Sequence, residues 1–260
     1  MARRLMHALV YGGFVDGAVG LKHEKGEIVI KVEAASINPL DWKIYNLRLL
    51  VRPLLSTVSH PPIPGNDVAG EVVEVGSGVQ KFKPGDKVIT VLSVYTAGGL
   101  SEYCVAKEKV TVLRPAEVSA AEGAGLPIAG LTALISLTQY ADLKLDQPGS
   151  GPQKNILVTA DSGGVGQYAV QLAKLGNAHV LIHYKAVGEG AASLRSPSGR
   201  KYDAVVHCAP TVAWSKLTFS KKKLFTFMLT PNDDEGLKFL VGLMKEGKLK
   251  TVIDSKHAWS

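Results

Sequence analysis

The stretch Asn155-Ile156-Leu157-Val158-Thr159-Ala160-Asp161-Ser162-Gly163-Gly164-Val165-Gly166 decides the fold. It opens as a short, β-branched, apolar run of the kind that forms a buried strand. Three glycines then fall within four positions, and Val165, Ala169, Leu172 and Gly176 recur at helical spacing. Ala178 to His183 (AHVLIH) reads as a second strand and Tyr202 to Cys208 (YDAVVHC) as a third. Strand, glycine turn, helix, strand is a βαβ unit, and such a crossover makes the sheet parallel. The glycines let the chain turn sharply and approach a bound group closely, while the helix start presents unpaired N–H groups and the positive end of its dipole. A dinucleotide's diphosphate fits that combination. The spacing is G-G-x-G rather than the full G-x-G-x-x-G, so a tight turn without a ligand is the rival reading.

The end of the second strand selects the nucleotide. NAD sites usually carry Asp or Glu there to hold the ribose hydroxyls. Here the residues are His183-Tyr184-Lys185, with no carboxylate. A phenol and a cation suit a 2′-phosphate, so the expected cofactor is NADPH. Lys185 also has a plain reading as a solvated loop lysine.

Upstream the pattern changes. Glu27 to Ser36 alternates, with Ile28, Ile30, Val32 and Ala34 on one face and Val29, Lys31 and Glu33 on the other. Val68 to Val75, Lys87 to Leu92 and Tyr103 to Leu113 are further strands, separated by turns at Gly76-Ser77-Gly78 and Lys83-Pro84-Gly85-Asp86. Short strands at close spacing predict a small barrel or sandwich. After Arg114-Pro115, Ser119 and Glu122 form a capping-box signature, and Ile128 to Ala141 reads as helix. Asp146 to Gln153 is a Gly-, Pro- and Ser-rich linker. Leu237, Leu240, Val241 and Met244 predict a C-terminal helix, opened by Asp233 and Asp234 and stopped near Gly247, with Val252-Ile253 as a last strand.

The bulk composition excludes several classes. The 260 residues are 46% hydrophobic and 20% charged, which fits a packed protein and not a disordered one. The net charge of +7 suits phosphate-bearing ligands or an anionic membrane face, and equally plain solubility. Lys221-Lys222-Lys223 is the one tight basic run, too short to argue for nucleic acid. Cys104 and Cys208 are the only cysteines, so a four-thiolate zinc site is excluded. No apolar run reaches the roughly 18 residues of a membrane span, and the N-terminal ten residues do not read as a signal or transit peptide.

Four further segments carry a family resemblance. They are Ser36-Ile37-Asn38-Pro39-Leu40-Asp41-Trp42-Lys43, Pro64 to Val72 (PGNDVAGEV), Gly98 to Tyr103 (GGLSEY) and Leu126 to Leu134 (LPIAGLTAL). Together with the glycine loop they resemble the medium-chain dehydrogenase/reductase superfamily, and within it the quinone oxidoreductase branch and its plant chloroplast-envelope members. The resemblance implies an α/β protein: a GroES-like β-barrel domain over residues 1–118 and a Rossmann-type, doubly wound parallel sheet over residues 119–260. It implies that Asn38 and Lys43 lie beside the nicotinamide and Thr132 near a phosphate. Ser162, Gly163, Gly164, Val165 and Gly166 would hold the pyrophosphate, Tyr184, with Lys185 close by, the 2′-phosphate, and Cys208 and Ala209 the nicotinamide ribose. Asp41 would be structural, capping the turn around Trp42. Zinc members of the superfamily carry Cys where Pro39 stands and Gly-His-Glu where Gly65-Asn66-Asp67 stands, so no metal is expected here.

The chemistry implied is hydride transfer from NADPH to the β-carbon of an enone or alkenal, or to a quinone. Lys43 and the Asn38 amide are the catalytic candidates for stabilising the oxyanion that develops, with solvent supplying the last proton. The rival is a catalytically impaired, nucleotide-binding, membrane-associated relative. The expected location is the chloroplast inner envelope, peripherally bound, with the cytosol as alternative; a homodimer is compatible with the resemblance, and nucleic acid is not an expected partner.

The sheet looks incomplete relative to the family. A strand-helix-strand piece is missing around Ile182-His183, a second piece around Ala209-Pro210, where nicotinamide-side residues would lie, and a short piece near Lys22-Glu24. The tail that returns to the first domain is not seen either. Numbering that runs through gaps would part the chain at those points; a continuous chain would indicate a shortened variant.

Overall fold

The computed structural model describes residues 6–10, 13–17, 23–43, 63–93, 98–147, 152–183, 199–208 and 234–258. Two compact units divide the chain. The first is Met1–Ile128 with Thr230–Lys248 and Val252–Ser260, and the second Ala129–Leu229 with Leu249–Thr251.

The first unit is built on strands β3 (Glu27–Ser36), β4 (Asp67–Val75), β5 (Lys87–Val91), β6 (Tyr103–Lys107) and β7 (Thr111–Leu113). A separate hairpin joins β1 (Met6–Val10) to β2 (Gly13–Gly17), which the sequence reading does not foresee. The five strands are antiparallel in the order β6-β3-β4-β5-β7. The expected single strand Tyr103 to Leu113 is thus two, parted by a 3₁₀ turn at Glu108–Val110. Because β6 and β7 sit at opposite edges yet are only a turn apart in sequence, those edges lie within about 14 Å. The sheet therefore curls towards a barrel.

Ile28, Ile30, Val68, Val72, Phe82, Val88, Leu92, Cys104 and Ala106 fill its core, with Val32 and Ala35 against them. The strict alternation expected for Glu27–Ser36 breaks after Val32, where a bulge in the pairing with β4 brings Ala35 rather than Ala34 to that cluster. Val29, on the other face, is buried too, because helix α1 (Ala120–Ala124) packs over β3 and β4. That helix has the expected capping box: Ser119 accepts the Glu122 N–H, and the Glu122 carboxylate accepts the Ser119 N–H at 3.1 Å.

The second unit holds a parallel sheet in the order β10-β8-β9, with β8 at Asn155–Thr159, β9 at His179–His183 and β10 at Ala204–His207. All of β8 is buried. Helix α3 (Gly164–Leu175) makes the β8-to-β9 crossover, burying Tyr168, Ala169, Leu172 and Ala173. β9 pairs with β8 through both Ile182 and His183. Ala209 and Pro210 lie outside the described residues.

Helix α2 (Pro127–Ile135) is shorter than expected and passes into a π turn at Ser136–Tyr140. The hydroxyls of Ser136 and Thr138 donate to the carbonyls of Thr132 and Leu134 and so compete for the helix ladder. Helix α4 (Glu235–Lys245) stands where expected. Val252-Ile253 forms no strand. Instead the Gln171 amide takes both backbone groups of Lys250, at 2.9 Å each, and Tyr168 shares its hydroxyl with Thr251.

Candidate nucleotide and active site

At the C-terminal end of β8, Ala160 adopts a left-handed conformation (φ 52°) and its carbonyl accepts the Gly163 N–H at 3.0 Å. The first helical bond of α3 is Gln167 N–H to the Gly163 carbonyl, at 3.0 Å. The amides of Gly164, Val165 and Gly166 are therefore first-turn donors with no acceptor inside the helix. The three glycines differ in what they do. A methyl on Gly166 would collide with the Ala160 carbonyl, so glycine there is a packing requirement. One on Gly163 would lie 3.2 Å from that oxygen, and one on Gly164 3.8 Å from the Ala129 methyl. Packing thus explains Gly166 but not Gly164. Ser162, Gly163 and Gly164 are exposed, Val165 half-buried.

Beside this loop the ends of β8 and β10 form a small polar cluster. Thr159 pairs with His207 across the sheet, and its hydroxyl lies 2.7 Å from His207 Nδ1. The Cys208 N–H donates to the same hydroxyl at 3.3 Å. We assign the hydroxyl proton to Nδ1, which leaves the ring proton on Nε2. Burial holds His207 below the usual histidine range, so the ring is neutral. Burial also pushes the Cys208 thiol up to about 12, which makes it a poor nucleophile. His207 escaped the sequence reading; its signal was a lone histidine inside an otherwise apolar strand. Thr132 lies half-buried on α2. Tyr184, Lys185 and Ala209 lie outside the described residues.

The other candidates belong to the first unit. Asn38 precedes a helical turn over 39–43, with Pro39 in its first position. The Asp41 carboxylate accepts the Asn38 N–H at 2.6 Å and the Gly65 N–H at 2.9 Å, and the Asp41 N–H donates to the Asn38 carbonyl. Asp41 is therefore the cap that the sequence suggested. The Asn38 side chain turns away to Asp67, donating from Nδ2 to Oδ2 at 3.0 Å. Asp67 is fully buried and also accepts from Ser36 Oγ at 3.4 Å and from the Ile128 N–H at 3.1 Å. Burial lifts its carboxyl to about 8, with the Asp41 charge adding to the effect. Lys43 is exposed, its ammonium 5.9 Å from the Trp42 ring centroid.

At the positions matching zinc ligands, Pro39 offers no donor. Asn66 is 1% exposed, and its amide donates to the Leu92 carbonyl at 3.2 Å. No cluster of three or more His, Cys, Asp or Glu suited to a metal occurs among the described residues.

Comparison with known proteins places this geometry in a family. The alcohol dehydrogenase GroES-like domain matches residues 24–116. A chloroplastic quinone-oxidoreductase of Triphysaria versicolor is 51% identical over the whole of this chain and 93% of the relative. That alignment runs over 315 positions against the 260 residues of this chain, so the relative carries internal stretches without a counterpart here. A 2-methylene-furan-3-one reductase of Solanum lycopersicum is 33% identical over 91% of this chain and 66% of the relative. The structure of the quinone oxidoreductase from Coxiella burnetii superposes with a TM-score of 0.75 at 26% identity, covering 96% of this chain and 91% of that one. The curled antiparallel sheet, the βαβ unit with its glycine loop and the matched relatives agree: the chain belongs to the medium-chain dehydrogenase/reductase superfamily, in its quinone oxidoreductase branch.

Proposed function

We propose that the protein reduces quinones or α,β-unsaturated carbonyls with NADPH and without a metal ion. The observation that carries the reading is the glycine loop: Gly164 has no packing duty, yet it keeps side chains away from the free amides at the start of α3. A diphosphate would accept from the Gly164, Val165 and Gly166 amides, with Ser162 and Gly163 beside it. His207 Nε2–H and the half-buried Cys208 just after β10 would meet the ribose side, and Tyr184 and Lys185 the 2′-phosphate. Thr132 would stand near a phosphate.

NADPH, when bound, supplies the hydride. Asn38 and Lys43 would stabilise the negative oxygen that grows on the substrate, Lys43 by charge and Asn38 by an amide N–H. Solvent then delivers the proton. The name of the tomato relative, which reduces an exocyclic enone, supports the enone class. Metal independence is supported by Pro39 and by the Asn66 amide, which is engaged with Leu92.

Steady-state oxidation of NADPH and NADH against a short enone, an alkenal and a quinone, with and without a chelator, tests this. Expected are a preference for NADPH, indifference to the chelator and a lower kcat/KM for Lys43→Ala. Equal use of NADH would remove the 2′-phosphate reading, and chelator sensitivity the metal-free one. The internal stretches absent relative to the relatives favour a second reading, an impaired nucleotide-binding protein. NADPH binding without oxidation across that panel would select it. The proposed location is the chloroplast inner envelope, peripherally bound; the chloroplastic relative's name supports the organelle and the basic charge an anionic surface.

A further inference from the structure

We propose that Asp67 is a positioning residue, whose carboxylate aims the Asn38 amide for the reaction. The inference rests on the reading of Asn38 given above.

An asparagine that caps a helical turn ordinarily folds its side chain back onto the N–H of the third helical residue. Asn38 occupies that position, and the reciprocal half of the arrangement is present, since Asp41 accepts the Asn38 N–H. Its own side chain leaves the turn and donates to Asp67. The backbone of Asn38 is thus clamped at both N–H and C=O by Asp41, and its side chain by a second acid. Two buried carboxylates attend one half-buried amide.

Burying a carboxylate without a cation is expensive. The donors to Asp67 are neutral: Asn38 Nδ2, Ser36 Oγ and the Ile128 N–H. The Ile128 bond caps the start of α2, a duty that a serine or an asparagine would also perform. What those residues cannot do is dictate the amide's direction. Once ionised, above about pH 8, the Asp67 carboxylate only accepts, so Nδ2 must face it and Oδ1 must face away, as the 3.0 Å Nδ2–Oδ2 contact has them. One amide proton is then committed to Asp67, and the second proton and Oδ1 are presented in a fixed orientation. An asparagine at position 67 could donate or accept, and the Asn38 amide would lose that constraint.

The test compares wild type, Asn38→Ala, Asp67→Asn and the double variant at about pH 9, where Asp67 carries its charge. Asp67→Asn is expected to lower kcat on the order of 100-fold, the scale of a misplaced catalytic group, while the NADPH dissociation constant stays within about threefold. The double variant is expected to be no slower than Asn38→Ala alone. Wild-type kcat in Asp67→Asn, or losses that multiply in the double variant, would overturn the inference. If Asn38→Ala itself keeps full kcat, the reading of Asn38 falls, and the inference with it. A measurement on the unaltered protein covers the case in which Asp67→Asn fails to fold. The Asn38 side-chain amide, identified by the NMR signal lost in Asn38→Ala, should show one slowly exchanging proton; two freely exchanging protons contradict the proposal.

Discussion

Two glycines three residues apart or fewer in one loop can have unrelated reasons to exist, and Gly164 and Gly166 separate them. Gly166 lies against the Ala160 carbonyl with no room for a methyl, whereas Gly164 has only ordinary contact with Ala129. Gly166→Ala is therefore expected to lower the melting temperature by several degrees, roughly 1–3 kcal/mol of overpacking. Gly164→Ala should leave it within a degree or two and instead weaken NADPH about tenfold, the value of one charge-assisted hydrogen bond. Thermal denaturation beside fluorescence titration reads both; equal effects on stability would remove the division of labour. At this scale the sequence was legible wherever spacing carries the signal, as in the glycine loop and the Asp41 cap. It was silent on Asp67 and His207. Their partners, Asn38 and Thr159, lie 29 and 48 residues away in sequence and meet them only through sheet pairing or packing.

Elements were readable where local rules act alone. The capping box at Ser119 and Glu122, the βαβ unit and the C-terminal helix all stand where spacing puts them. Failures came where a neighbour overrules the pattern. The bulge after Val32 answers to pairing with β4, which no property of β3 reveals. Tyr103 to Leu113 reads as one apolar run, yet its halves pair with opposite edges of the sheet, which forces the turn at Glu108–Val110. Val252-Ile253 has strand composition, but the preceding Lys250 has both backbone groups engaged by Gln171 on α3. The π turn after Ile135 is the subtler case, since Ser136 and Thr138 are common enough in helices that their bonds to carbonyls one turn back are not forecast by composition.

For the whole molecule, charge and chain economy matter most. No helix among the described residues is long and apolar enough to cross a membrane. The net charge of +7 is compatible with the proposed peripheral attachment, which would be worth about 1 kcal/mol per basic group near an anionic surface. The protein is expected to co-sediment with vesicles containing anionic lipid at low salt and to be released at high salt; binding to neutral vesicles alone would contradict the charge-based account. The Triphysaria relative aligns over 315 positions against the 260 residues here, so this molecule builds the same family fold with less internal chain.

The central claim is hydride transfer from a nucleotide held at the glycine loop, and isotope tracing tests it most directly. NADPH deuterated at both C4 positions should be oxidised with an enone to give product bearing one deuterium at the β-carbon and a solvent-derived proton at the α-carbon. A reduced product without deuterium at the β-carbon, or no NADPH oxidation at all, would contradict the account.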